Sequence, residues 1–338
     1  MSEFMLQQTR VAAVEERYEA FLRRFPTVRA LAEAVVDDVL ALWSGLGYYR
    51  RARNLHAAAR AIMARHGGNV PGDAAELREL PGIGAYTAAA VASIAFGKLE
   101  ALVDGNVARV LSRIFRLKGD PRAGKPAMRL KEVAERLVPR DGSAGEWNEA
   151  LMELGAMVCL PRNPRCDQCP LAGDCGARRE GRPEAYGGRA KSVKSVREVV
   201  MRIAIARGGR WLLRRNGARE KPAGMFEFPV VRGIPPGATL EEVAGVVERE
   251  LGIALRDVRE LGQVRHQILD RAITVRVVAA RAVDSPSPSP KAGAREVHGK
   301  GRARGERFRW VRSSELGNLP VSAAALRVAR LLTARPAP

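Results

Sequence analysis

The chain has 338 residues, of which 46% are hydrophobic and 28% charged; this suits a globular protein of about two domains and excludes a disordered one. Lys and Arg number 57 against 37 Asp and Glu, a formal charge of +20. A polyanion is therefore the expected partner, nucleic acid first, with an Arg-biased composition as the plain alternative. No apolar run approaches the ~20 residues of a membrane helix, and no charged start leads into an apolar core. No membrane partner is expected, and the expected location is cytoplasmic. The first ~180 residues read as helices, at Val28–Ala34, Val39–Trp43, Leu55–Met63 and the nearly all-apolar Ala85–Phe96, with Gly and Pro between them. Arg178–Val196 is polar, basic and Gly-rich, as a linker would be. Strands follow at Glu198–Ile205 and Trp211–Leu213, paired across Gly208-Gly209, and at Ile273–Val278 and Phe308–Val311. Helices are expected at Leu240–Leu251 and Ala323–Thr333. Asp284–Arg304 is low complexity, with Ser-Pro repeats and a basic run, and reads as a mobile loop.

Two motifs carry chemistry. All four cysteines lie close together, as Cys159-x6-Cys166-x2-Cys169-x5-Cys175. Four thiolates within one short stretch can converge on tetrahedral zinc or on a 4Fe–4S cluster. Zinc sites usually use two short hooks, and only one spacing here is short. The second motif is Leu80-Pro81-Gly82-Ile83-Gly84-Ala85-Tyr86-Thr87. Pro-Gly-Ile-Gly makes a tight turn between helices, and Gly82 and Gly84 leave bare backbone N–H groups that can grip a phosphate. An ordinary helical hairpin without a ligand is the bland alternative. Asp104, about 20 residues on in Val103-Asp104-Gly105-Asn106, reads either as a helix N-cap or as a catalytic carboxylate, and the two are compatible.

The cysteine spacing and the hairpin closely resemble the endonuclease III superfamily of DNA glycosylases. Ser2-Glu3-Phe4-Met5-Leu6-Gln7-Gln8-Thr9, Leu42-Trp43-Ser44-Gly45-Leu46-Gly47-Tyr48-Tyr49 and Leu154–Cys159 narrow this to the adenine DNA glycosylases, the MutY family, which these strings resemble over nearly the whole first domain. The resemblance implies an all-α helix-hairpin-helix glycosylase domain with a 4Fe–4S cluster loop, followed by an α+β Nudix-like domain. The expected limits are 1–178 for the helical domain with its cluster loop at 159–175, 179–196 for the linker, and 197–335 for the second domain with a flexible loop at 284–305. It implies removal of adenine opposite 8-oxoguanine or guanine in double-stranded DNA by a monomer.

Residue by residue, the resemblance implies Glu3 as the acid that protonates adenine, Asp104 as the carboxylate that stabilises the sugar cation, and Asn106 and Tyr86 as supports for sugar and water. Breaking an N-glycosidic bond is a two-carboxylate task, as in sugar hydrolases. Tyr86 stands where strand-cleaving relatives carry a Schiff-base lysine, so a monofunctional enzyme is expected. Glu149 is expected at the flipped adenine. Gln8 and Tyr48 are expected beside the opposing base, Tyr48 as a wedge, against the simpler reading that Tyr48 packs on Trp43. Cys159, Cys166, Cys169 and Cys175 would hold the cluster.

The chain also departs from the pattern. Relatives carry a further segment before the Ser-Glu string, so a start upstream of Met1 is expected. Gly224-Met225-Phe226-Glu227-Phe228-Pro229 resembles the family's Nudix-like element, but Gly245–Ile253 keeps only part of the acidic set that holds Mg²⁺, so no pyrophosphatase activity is expected. Arg265-His266 is followed by Gln267-Ile268 instead of the family's Phe-Ser-His loop, leaving His266 as a candidate lesion contact. The competing functions are an endonuclease III-like glycosylase/lyase, against which Glu3 and Tyr86 argue, and a catalytically impaired Fe–S DNA-binding protein.

Overall fold

The computed structural model describes residues 1–188, 196–220, 222–231, 237–268, 271–283 and 308–334, with the side chains of 231 and 266–268 excepted. The chain forms two compact units that interleave in sequence. The first contains Met1–Gln8, Phe25–Glu33 and Asn54–Ser192; the second contains Thr9–Arg24, Ala34–Arg53 and Val193–Pro338. The linker residues 189–195 and the expected flexible loop from 284 to 305 lie outside the described residues.

The helices are α1 (Ser2–Leu6), α2 (Val11–Arg24), α3 (Val28–Glu33), α4 (Val36–Leu42), α5 (Arg50–His66), α6 (Ala74–Arg78), α7 (Ala85–Ala90), α8 (Gly105–Ile114), α9 (Gly124–Leu137), α10 (Ala144–Met157) and the short α11 (Gly176–Arg179). In the first unit α7 is central. Its Ala88, packed with Ala58 and Ile62 of α5 and Leu77 of α6, belongs to one core. Its Ala89 and Ala90 join Val107, Val110 and Leu111 of α8, Leu130 of α9 and Leu151 of α10 in another. Small side chains let all these helices approach one axis. The expected single helix to Phe96 changes pitch: Val91–Ala95 is a π-helical turn. There Ser93 Oγ donates back to Ala89 O at 2.7 Å, and α10 presses so close that a Cβ on Gly145 would lie 2.8 Å from Ser93 O. After α11, the chain forms a 3₁₀ turn at Pro183–Ala185, and Tyr186 is buried with its hydroxyl donating to Glu180.

The second unit is α+β. Its strands are β1 (Val196–Arg207), β2 (Arg210–Arg215), β3 (Phe226–Glu227), β4 (Val230–Val231), β5 (Leu255–Ile268), β6 (Arg271–Ala282) and β7 (Phe308–Arg312), with helices α12 (Leu240–Leu251) and α13 (Ala323–Ala334). Among the described residues they make one sheet in the order β3-β2-β1-β6-β5, with β4 on β1 and β7 on β2. The β1–β2 hairpin turns at Gly208-Gly209, as expected. β1 and β6 pair in parallel from Val196↔Arg271 to Ala206↔Arg281. Strand alternation sends Ala204, Leu213, Val275 and Val277 to the face that packs with Val328 and Leu332 of α13. Ile203, Ile205, Leu212 and Val278 go to the face that packs with Val243 and Val247 of α12. α12 opens with a capping box, Thr239 with Glu242, and closes on Gly252 at φ 68°.

Candidate functional site

The hairpin comes first along the chain. Ile83 N–H bonds to Leu80 O at 3.2 Å around Pro81-Gly82, and Gly82 has φ 79°. Proline then glycine is the pairing that a type II turn requires. Gly82 is also pressed on Asn54, 2.4 Å from the side-chain Cβ to any Cβ added here, so no larger residue fits. Gly84 is the N-cap of α7 and supplies no side chain to cap it.

This turn delivers Tyr86 to the first turn of α7, and α1 packs on that helix. Gln7 Nε2 donates to Thr87 Oγ1 at 3.1 Å, tying the Ser-Glu string to the hairpin helix. Glu3 in α1 and Tyr86 are within hydrogen-bonding reach, and the Tyr86 hydroxyl is also 3.5 Å from Met152 Sδ. Burial raises the Glu3 pKa above its ordinary value. Glu149 and Asp104 push it the same way, against the Tyr86 hydrogen bond. Burial, Glu3 and Asp104 together raise the Tyr86 phenol, which stays a neutral donor. Three of the expected groups, Tyr86, Asp104 and Glu149, therefore act electrostatically on Glu3, and Asp104 acts on Tyr86 as well.

Asp104 is the N-cap of α8: its Oδ1 accepts from the N–H groups of Asn106 at 2.8 Å and Val107 at 2.7 Å. Two residues outside the expected set hold this segment. Asn148 is 1% exposed; its Nδ2 donates to Ser93 Oγ and Glu100 O, and its Oδ1 accepts from Leu102 N–H. It thereby fixes α10 to the chain just before Asp104. Arg109 donates from Nη2 to Asn106 Oδ1 at 2.9 Å and to Gly155 O at 2.7 Å, and from Nε to Cys159 O at 2.7 Å. A lone Asn or Arg on an amphipathic helix carries no signal of this kind in sequence.

Gln8 lies in the first unit, exposed, with φ 55°. Tyr48 lies in the second unit, 45% exposed with φ 46°; it does not bury itself on Trp43, whereas Tyr49 is buried. His266 falls in β5, opposite Ile273, but its side chain lies outside the described residues.

The four cysteines line one open pocket, together with Arg113, Arg165 and Arg178. Burial pushes the Cys166 thiol up, and the other three cysteines add to the effect. Arg113, 2% exposed, donates to Cys159 Sγ at 3.3 Å, Leu160 O at 2.7 Å and Pro161 O at 3.1 Å. Its buried Nε has no hydrogen-bond partner. A buried cation beside four thiols fits an anionic centre of cluster size. When bound, such a cluster would cross-link this loop through its four cysteines.

Comparison with known proteins agrees with this geometry. Residues 1–142 match the model of the HhH-GPD superfamily of base excision DNA repair proteins. Residues 159–175 match the iron-sulfur binding domain of endonuclease III, so the ligand set belongs to a 4Fe–4S cluster and not to zinc. The adenine DNA glycosylase of Homo sapiens is 46% identical over 179 residues, 53% of this chain and 33% of that protein. The adenine DNA glycosylase of Buchnera aphidicola (subsp. Acyrthosiphon pisum) is 34% identical over 231 residues, 68% of this chain and 65% of that protein. The chain thus spans between about a third and two thirds of the length of these relatives. A MutT NUDIX hydrolase from Burkholderia pseudomallei overlaps 41% of this chain and 99% of its own, at 26% identity and a TM-score of 0.32. With the hairpin, the Asp104 cap and the cysteine loop all in place, the chain belongs to the adenine DNA glycosylase (MutY) family of the HhH-GPD superfamily.

Proposed function

We propose that this protein is a monofunctional DNA glycosylase that removes adenine mispaired with 8-oxoguanine or guanine and leaves an abasic site. The observation that carries the reading is the raised pKa of half-buried Glu3, set against Tyr86 and the Asp104 and Glu149 carboxylates. A carboxyl whose pKa is raised is a better placed donor of its proton to a ring nitrogen of adenine, and the protonated base leaves neutral. The C1′–N9 bond then breaks and the electron pair leaves with adenine. Positive charge develops on the sugar, where the Asp104 carboxylate stabilises it. Water adds to C1′, held by Asn106 and Tyr86, and its proton passes to a carboxylate.

Glu149 contacts the flipped adenine in this reading. Gly82 and Gly84 present hairpin N–H groups to a phosphate, and Gln8 and Tyr48 fill the space beside the opposing base. His266 is a candidate contact to the lesion. The partner is duplex DNA carrying the mispair, bound by a monomer.

Tyr86 separates this reading from a glycosylase/lyase, because a phenol forms no Schiff base. The test is identification of the released base. Duplexes with adenine opposite 8-oxoguanine should yield free adenine, and the product strand should break only after alkali treatment. Release of an oxidised pyrimidine, or a borohydride-trapped complex with abasic DNA, would instead assign the lyase chemistry.

A further inference from the structure

The turn that presents Tyr48 is fastened to the α+β part of its own compact unit. Gly45, Gly47 and Tyr48 all have positive φ, at 96°, 71° and 46°. A tyrosine keeps such a backbone only where its surroundings over-determine it. Arg51 is part of those surroundings: Nη2 donates to Leu46 O at 3.3 Å and to Gly47 O at 3.4 Å, and the guanidinium lies 5.4 Å from the Tyr48 ring and 5.5 Å from the Trp43 ring. Trp43 Nε1 also donates to Gly47 O, at 3.2 Å.

The rest comes from the far end of the sequence. The N–H of Ala323, the first residue of α13, donates to Tyr49 Oη at 2.7 Å, and Val321 N–H donates to Ser44 Oγ at 3.3 Å. On the other side Arg53 Nη2 donates to Ala223 O at 2.8 Å, and Arg215 Nη2 reaches both oxygens of Asp37, at 2.6 and 2.8 Å. Gly224, with φ 68°, sits against Arg53, and an added Cβ would lie 2.5 Å from Arg53 Nη2. Attachments thus bracket Tyr48 on both sides in sequence, from Asp37 and Ser44 to Tyr49 and Arg53.

We propose that Tyr49 is a positioning residue for mispair discrimination: its hydroxyl, held by the backbone of α13, seats the turn that aims Tyr48. The α+β module then affects the choice of opposing base through Tyr48 as well as through any contact of its own with the lesion. This inference rests on the reading of Tyr48 as the inserted wedge.

The test uses the full chain and duplexes carrying 2-aminopurine next to the purine opposite adenine. The fluorescence rise on binding reports unstacking whether or not adenine is released. Tyr49→Phe keeps the buried ring and removes only the hydroxyl, with its hydrogen bonds to the backbone of Ala323 and Gly45. It should diminish the fluorescence rise and lower the ratio of adenine-release rates, 8-oxoguanine over guanine, by about three- to tenfold, the range that a lost hydrogen bond supplies. Asp37→Asn, which weakens the attachment on the other side, should act in the same direction. Combining Tyr49→Phe with Tyr48→Ala should cost no more fluorescence than Tyr48→Ala alone. Native fluorescence and a native ratio in both Tyr49→Phe and Asp37→Asn would overturn the proposal, as would losses from Tyr48 and Tyr49 that multiply. A native signal in Tyr48→Ala would overturn it through the wedge reading, and that arm tells the two failures apart.

Discussion

Arg109 donates from one nitrogen, Nη2, to the side chain of Asn106 at 2.9 Å and to the carbonyl of Gly155 at 2.7 Å. Asn106 follows Asp104 by two residues on the capped start of α8, and Gly155 lies in the last turn of α10, four residues before the first cluster cysteine. A Cβ on Gly155 would lie 2.6 Å from Asn106 Cβ and 3.0 Å from its Cα. Gly155→Ala is therefore expected to push α10 off α8, costing about 1–3 kcal/mol of stability despite alanine's better helix propensity. Thermal unfolding of the two proteins checks this, and an unchanged midpoint would contradict the close approach.

Capping and catalysis by Asp104 can be separated. Asparagine caps a helix about as well as aspartate. Asp104→Asn should keep stability within about 1 kcal/mol while the adenine-release rate falls about a thousandfold, roughly 4 kcal/mol of transition-state stabilisation. Loss of stability in step with activity would reduce Asp104 to a cap.

Burial raises the Glu3 carboxyl, whereas the Tyr86 hydrogen bond favours its ionised form and lowers it. An acid-dependent rate holds while Glu3 is protonated and falls as pH rises through its pKa. In Tyr86→Phe the lowering contribution disappears, so the falling limb of the pH–rate profile should move to higher pH. Movement to lower pH would contradict the assignment of Glu3 as the acid.

Arg113 forks onto Cys159 Sγ, Leu160 O and Pro161 O. Lysine is a point donor and cannot reproduce that fork. Arg113→Lys should lose the visible absorbance of the cluster faster under an iron chelator than the native protein does, and Cys166→Ser should be purified largely without it. Equal loss rates for Arg113→Lys and the native protein would place no weight on the fork.

Local motifs were the legible part of this molecule. Pro81-Gly82 announces its turn because only glycine tolerates φ 79° there, and the cysteine spacing announces a shared ligand. The β1–β2 hairpin and α12 were readable from period and caps. The residues that position the site were not. Asn148, Arg109 and Arg113 act on partners 46 to 55 residues away, and nothing local marks them. The long strand β5 was also missed, since its charged residues and bulges interrupt the alternation. Likewise, the apolar face of Val36–Leu42 does not say which core it meets. Its place in one compact unit with the sheet follows from contacts such as Asp37 with Arg215.

The central claim is that Glu3 protonates adenine. It is tested most directly by the single-turnover rate of adenine release from a duplex with adenine opposite 8-oxoguanine, measured for the native chain and for Glu3→Gln, with duplex binding followed in parallel. The account predicts native binding by Glu3→Gln and a rate lower by about a hundredfold to ten-thousandfold, the range a positioned general acid contributes. A Glu3→Gln rate equal to the native one would contradict it.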